Sequence, residues 1–167
     1  MAYFSYFLTK KNFMSTRENQ LKELNELVKI NYDRIAGYEK AISECKEEDS
    51  DLKKLFRKMA NESEQHVLQL GDLITRLGGQ PTDNARIPGK IYRTWMDLKA
   101  VFTGNSRKAL LNSCEYGEVA AERAYDAALS PGNRLDHESR QLVVEQQESL
   151  KKFHDVIKKY RDLQAAA

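Results

Sequence analysis

Proline and glycine are scarce in this chain, three and eight among 167 residues, which excludes a turn-rich β-protein of this size. Cysteine is scarcer. Cys45 and Cys114 lie far apart and form no CxxC pair, so they supply neither a disulfide framework nor a zinc signature. A reducing, cytoplasmic location is the simplest expectation. Long apolar runs are missing as well. The most apolar stretch, MAYFSYFL at positions 1–8, is too short to span a bilayer and is followed by Thr9, Lys10 and Lys11 rather than a small-residue cleavage site. Neither sign of charge dominates: 27 Lys and Arg against 25 Asp and Glu leave +2, no field for nucleic acid or anionic lipid. No glycine-rich loop follows a strand, and Gly78-Gly79 closes a helix rather than opening one, so a phosphate cradle is unsupported.

Helical periodicity is what the chain does contain. From about Arg17 to Lys46, Leu21, Leu24, Val28, Asn31, Ile35, Tyr38, Ile42 and Cys45 recur at three-four spacing, and Leu27 and Ala41 widen the stripe to suit a bundle. Glu47 to Ser50 break the pattern. A second helix carries Leu52, Leu55, Phe56, Met59, Ser63, His66, Leu70, Leu73 and Leu77, and ends at Gly78-Gly79-Gln80-Pro81. Residues 80–104 form a long connection in which Ile91, Trp95, Leu98 and Phe102 suggest one short helix. A third long helix should start near Asn105-Ser106 and stop near Ser130-Pro131-Gly132, with a small inner face of Leu111, Cys114, Gly117, Ala120, Ala121, Ala124 and Ala128 flanked by Tyr116 and Tyr125. The last runs from about Leu135 to Leu163.

Hairpin, long crossover, hairpin is the connectivity of an all-α, ferritin-like four-helix bundle. Residues 17–164 are expected to form its single domain, and residues 1–16 a disordered tail. Tyr3, Phe4, Tyr6, Phe7 and Phe13 also suit a short interfacial anchor, and Met14-Ser-Thr-Arg-Glu reads as an ordinary start, which would make residues 1–13 an over-extended one.

Several segments resemble one particular family. Asn31-Tyr-Asp-Arg-Ile-Ala-Gly-Tyr-Glu39, Leu77-Gly-Gly-Gln-Pro81, Gly89-Lys-Ile-Tyr-Arg-Thr-Trp95, Cys114-Glu-Tyr-Gly-Glu118 and Phe153-His-Asp155 are similar to an uncharacterised bacterial family of ferritin-like four-helix-bundle proteins, a domain of unknown function. The resemblance covers about residues 20–163. It implies the bundle fold and, through ferritin-like relatives, an association with stress; it implies no particular activity.

The chemistry to test is a di-iron or di-manganese carboxylate centre, built in this superfamily from a carboxylate on each of two helices and a Glu-x-x-His on each of the others. The candidate ligands are Glu62, His66, Glu115 and Glu118. The fit is poor. Asn31 is a neutral, weak ligand at the core position of the first helix, Asp33 falls on its outward side, and Glu39 lies about two turns on. Ser63 stands three residues before His66, and Lys151 three before His154. Pairing the last two helices about residues 130–133 sets Glu118 level with Glu145, Glu115 with Glu148, and His154 with Ala109, away from the carboxylates. Glu145 and Glu148 fall on the outer half of their helix.

The competing reading is structural. A buried polar layer of Asn31, His66, Gln146 and Gln147 would fix register among the helices, while the glutamates form a solvated face in which Glu118 and Glu122 meet Arg123. Both cysteines then act as small hydrophobes. On this reading the protein is a non-catalytic bundle acting by self-association or through a protein partner, with Tyr92 and Trp95 of the crossover as contact residues.

Overall fold

The computed structural model describes residues 2–83, 89, 92–93 and 106–165, and side chains from Thr16 onward. Four long helices account for most of it: α1, Ala2–Glu44; α2, Ser50–Arg76; α3, Arg107–Ala128; and α4, His137–Ala165. The helix ends follow local chemistry. The α2 terminus is a Schellman turn: Gly78, at φ 76°, donates to the Thr75 carbonyl and Gly79 to that of Ile74. Ser106 caps α3 by accepting from the Ala109 N–H at 3.1 Å. Asp136 caps α4 by accepting from the Ser139 N–H at 2.8 Å.

The helices pack as two antiparallel hairpins, α1 with α2 and α3 with α4. Arg107, the first residue of α3, binds Asp49 and Asp51 at the α1–α2 turn at 2.9 and 2.6 Å. The chain therefore returns along the bundle before α3 begins, giving the up-down-down-up order of a ferritin-like bundle. The described residues of the crossover include three that bond to α1. Thr82 donates to Asn25, and Asp33 accepts from the Gly89 and Tyr92 N–H groups at 2.7 and 3.4 Å. A Cβ on Gly89 would collide with the Asp33 carboxylate. Asp33 is therefore buried against the crossover, not outward as its helical position suggests. The expected short crossover helix lies largely outside the described residues, which contain one helical hydrogen bond there, Arg93 to Gly89.

The α1 backbone is helical from Ala2, upstream of the 17–164 boundary. The α3–α4 register differs from that expected. The turn continues through Leu135, α4 starts at His137, and the hairpin is centred several residues later than 130–133. Tyr125 accordingly meets Gln146, and His154 meets Glu122 instead of lying level with Ala109. A centre at 130–133 leaves out Arg134 to Asp136, which the connection also spans before α4 begins at His137, one residue past its cap Asp136.

The core falls into two apolar halves. One gathers Leu24, Leu27, Val28, Leu70, Leu73, Ile74, Ala121 and Val143; the other Tyr38, Leu52, Phe56, Met59, Leu111, Cys114 and Ile157. Between them each helix contributes a polar group.

Candidate functional site

That polar layer is centred on an ion pair between α1 and α3. Arg34 and Glu118 are both 0% exposed. Arg34 donates from Nε to one Glu118 oxygen at 3.0 Å and from Nη2 to the other at 3.1 Å, a bidentate fork. The Tyr38 hydroxyl, one turn along α1, donates to the first of these oxygens. Asn31 accepts from Arg34 Nη1 at 3.2 Å and donates to the Tyr125 hydroxyl at 2.8 Å. Tyr125 donates to Gln146 Oε1 at 2.8 Å, and the Gln146 amide donates to Gln69 at 2.9 Å. The network thus links all four helices. Burial opposes the Arg34 charge, but Glu118 and Tyr38 outweigh it and the guanidinium stays protonated. Burial, reinforced by Glu118, pushes the Tyr38 hydroxyl well up.

His66 adjoins this layer from α2. It is 5% exposed, its Nδ1 has no hydrogen-bond partner, and its Nε2 lies 3.7 Å from Glu62, beyond hydrogen-bond reach. Burial and then the Arg34 charge lower its pKa to about 3, so the imidazole is neutral. Glu62 is raised from the usual carboxylate range by burial; Arg34 opposes this and Glu118 adds to it. Of the four candidate ligands, Glu118 binds Arg34 directly, and the Arg34 charge acts on Glu62 and His66.

Glu115 does not join them. It faces α4, where it pairs with Arg161 and lies 3.7 Å from His154 Nε2, while His154 Nδ1 is 2.8 Å from Glu122. The glutamates of α3 are consequently not one solvated face: Glu118 is fully buried and Glu122 meets His154 rather than Arg123. Glu145 and Glu148 are exposed, as their outer position implies. The expected polar layer is present in Asn31, His66 and Gln146, whereas Gln147, also buried, turns to Asp126.

A two-metal carboxylate centre needs carboxylate lone pairs open to a cation and a Glu-x-x-His on two helices. These residues do not fit that requirement. Both oxygens of Glu118 are held by a guanidinium, Asn31 stands at the core position of α1, and Gln146 faces the layer from α4. Among the described residues no three His, Cys, Asp or Glu side chains converge to hold a metal ion.

Sequence reasoning missed Arg34. The signal was available, since Leu27, Arg34 and Ala41 occupy one heptad position, and a cation in a column of apolar residues calls for a buried anion facing it. Tyr125, read as a flanking residue, is instead the central link of the hydrogen-bond chain.

The chain has no match among curated proteins. It superposes on the crystal structure of ferritin like, diiron-carboxylate proteins from Bacillus anthracis str. Ames with a TM-score of 0.63 and 18% identity, covering 89% of this chain and 96% of that one. At that identity the likeness is one of fold. The sequence of residues 19–131, more than half of the chain and including Arg34, Tyr38, Glu62, His66 and Glu118, matches the family model described as Domain of unknown function (DUF2383), and the chain belongs to that family.

Proposed function

We propose that the protein is a non-catalytic ferritin-like bundle that acts by binding a second copy of itself or a protein partner, in the cytoplasm and in a stress-associated setting. One observation carries this reading: the hydrogen-bond chain Arg34–Glu118–Tyr38 and Asn31–Tyr125–Gln146 is closed on itself at the bundle centre. Its charges neutralise one another, and its amides and phenols find hydrogen-bond partners, which leaves its buried ion pair and phenols engaged with one another. Clefts of the described surface lie beside Gln20, Arg134 and Leu135 and between Arg76 and Glu138, the second meeting the layer at Gln69. Recognition then falls to the bundle surface.

Unpaired Cys45 and Cys114 support a reducing compartment, and no helix among the described residues is long and apolar enough to cross a membrane. The competing reading keeps Glu62, His66, Glu115 and Glu118 as ligands of a degenerate di-iron or di-manganese centre. The Arg34 charge and the separate engagement of Glu115 weigh against it.

The test is sedimentation velocity over a range of concentrations, with cross-linking in cells. The proposal expects an assembly larger than one chain, weakened by Trp95→Ala with helicity unchanged. A monomer at every concentration, with no cross-linked partner and no effect of Trp95→Ala, rejects it.

A further inference from the structure

One end of the bundle is tied together from three helices. Arg17 of α1 donates from Nε to the Leu77 carbonyl, just past α2, at 2.8 Å, and a Cβ on Gly78 would collide with its guanidinium. The Gln20 amide of α1 reaches the Asp136 carboxylate at the start of α4 at 2.8 Å, and Arg76 of α2 reaches Glu138 of α4 at 2.6 Å. Between these bonds lies a cleft of about 480 Å³, walled by Leu77 and Leu135 and lined by Arg17, Arg76 and Arg134. That volume suits a small ligand. None of these side chains belongs to the central polar layer.

Three guanidiniums line this cleft against one carboxylate, and they are not equally engaged. Arg76 is matched by Asp72 and Glu138, both outside the lining. The one lining carboxylate, Asp136, accepts from Gln20 and from the Ser139 N–H, and stands at the positive N-terminus of α4. Arg17 bonds only a carbonyl, and Arg134 is exposed and meets no carboxylate among the described residues. We infer that the cleft is a binding site for a small phosphate monoester, with the phosphate between Arg17 and Arg134 and an apolar body against Leu77 and Leu135. The guanidinium fork matches phosphate oxygens two at a time. A phosphate monoester carries close to two negative charges at neutral pH and so answers both guanidiniums, whereas a monocarboxylate answers one. Arg17 is already held by the Leu77 carbonyl, which reduces the side-chain freedom lost on binding. The site is read on the protein in whatever assembly it forms, so its failure and the failure of the association proposal are separate results.

Isothermal titration calorimetry and thermal melting of the full chain test it, with inorganic phosphate, phenyl phosphate and benzoate as probes and chloride at matched ionic strength as reference. Phenyl phosphate is expected to bind more tightly than inorganic phosphate and to raise the melting temperature; benzoate should bind more weakly than phenyl phosphate. Arg134→Gln removes an exposed side chain without a carboxylate partner, so it should melt like wild type without ligand and bind phenyl phosphate about tenfold more weakly, the loss of one charge-assisted hydrogen bond. Arg57→Gln, at an exposed arginine outside the cleft lining, should bind as wild type does. The inference is overturned if neither phosphate gives heat or a melting shift beyond chloride, if Arg57→Gln weakens binding as much as Arg134→Gln, or if benzoate binds as tightly as phenyl phosphate. A membrane source of the phosphate is separated by sedimentation with phosphatidylglycerol vesicles: Arg134-dependent pelleting without binding of phenyl phosphate also overturns it.

Discussion

Replacing Glu118 by alanine leaves the Arg34 guanidinium fully buried with no counter-charge, which is far costlier than losing an exposed pair. Glu118→Ala is therefore expected to lose about 3–5 kcal/mol in denaturant unfolding. Arg34→Met/Glu118→Leu, which removes both charges and keeps the volume apolar, should lose less than either single change. A double variant as unstable as the sum of the singles would show that the two residues do not act as a pair. His66 gives a prediction in pH. Its folded pKa of about 3 lies below the ordinary 6.5, so the unfolded chain takes up a proton near pH 6.5 that the folded chain refuses. Stability from this residue is complete above that pH and falls as pH drops toward 3, by at most about 1.4 kcal/mol per pH unit. Between pH 6 and 4.5, above the range where Asp51 and Asp136 protonate, His66→Gln should flatten the decline in unfolding free energy; an unaltered slope counts against a neutral buried His66. His66 was legible in the sequence as a histidine on an apolar stripe. What it touches was not, because its charge state depends on Arg34 of another helix.

At the scale of elements, periodicity located the helices and capping chemistry located most of their ends: the Gly78-Gly79 stop and the Ser106 start stand where the sequence places them. Register was harder to read. A hairpin is positioned by the cap of its second helix, and in the α3–α4 turn Asp136 outweighs Pro131-Gly132. Asp136 is tied to Gln20 of α1, with 2.8 Å between the Gln20 amide and its carboxylate, as well as to the Ser139 N–H. Despite burial, those hydrogen bonds hold its carboxyl below the usual range. Crossover contacts are equally invisible to periodicity, since Asp33 occupies an outward helical position and is buried only because Gly89 comes to it. Asp33→Ala should free the crossover from α1, seen as faster amide exchange at Gly89 and Tyr92 with little change in total helicity. Unchanged exchange at both amides would deny the anchoring role.

For the whole molecule, the fold follows from two apolar halves divided by one polar layer, with the long crossover forcing the up-down-down-up order. Hairpin–crossover–hairpin was readable from four periodic segments and one long link without periodicity. The content of the central layer was only half readable: Asn31, His66 and Gln146 stood out as polar breaks, while the Arg34–Glu118 pair joins residues 84 positions apart that only the tertiary fold brings together. The layer's residues all lie between Asn31 and Gln146, so deleting residues 1–13 should leave the melting transition of the bundle unchanged. A large loss of stability would place that segment within the domain. If the bundle centre is a closed layer whose cation is Arg34, untagged wild-type protein, purified without chelator and reconstituted anaerobically with iron and with manganese, should hold substoichiometric metal by inductively coupled plasma mass spectrometry, the same in Glu118→Ala as in wild type. About two metals per chain, lost in Glu118→Ala, would overturn it.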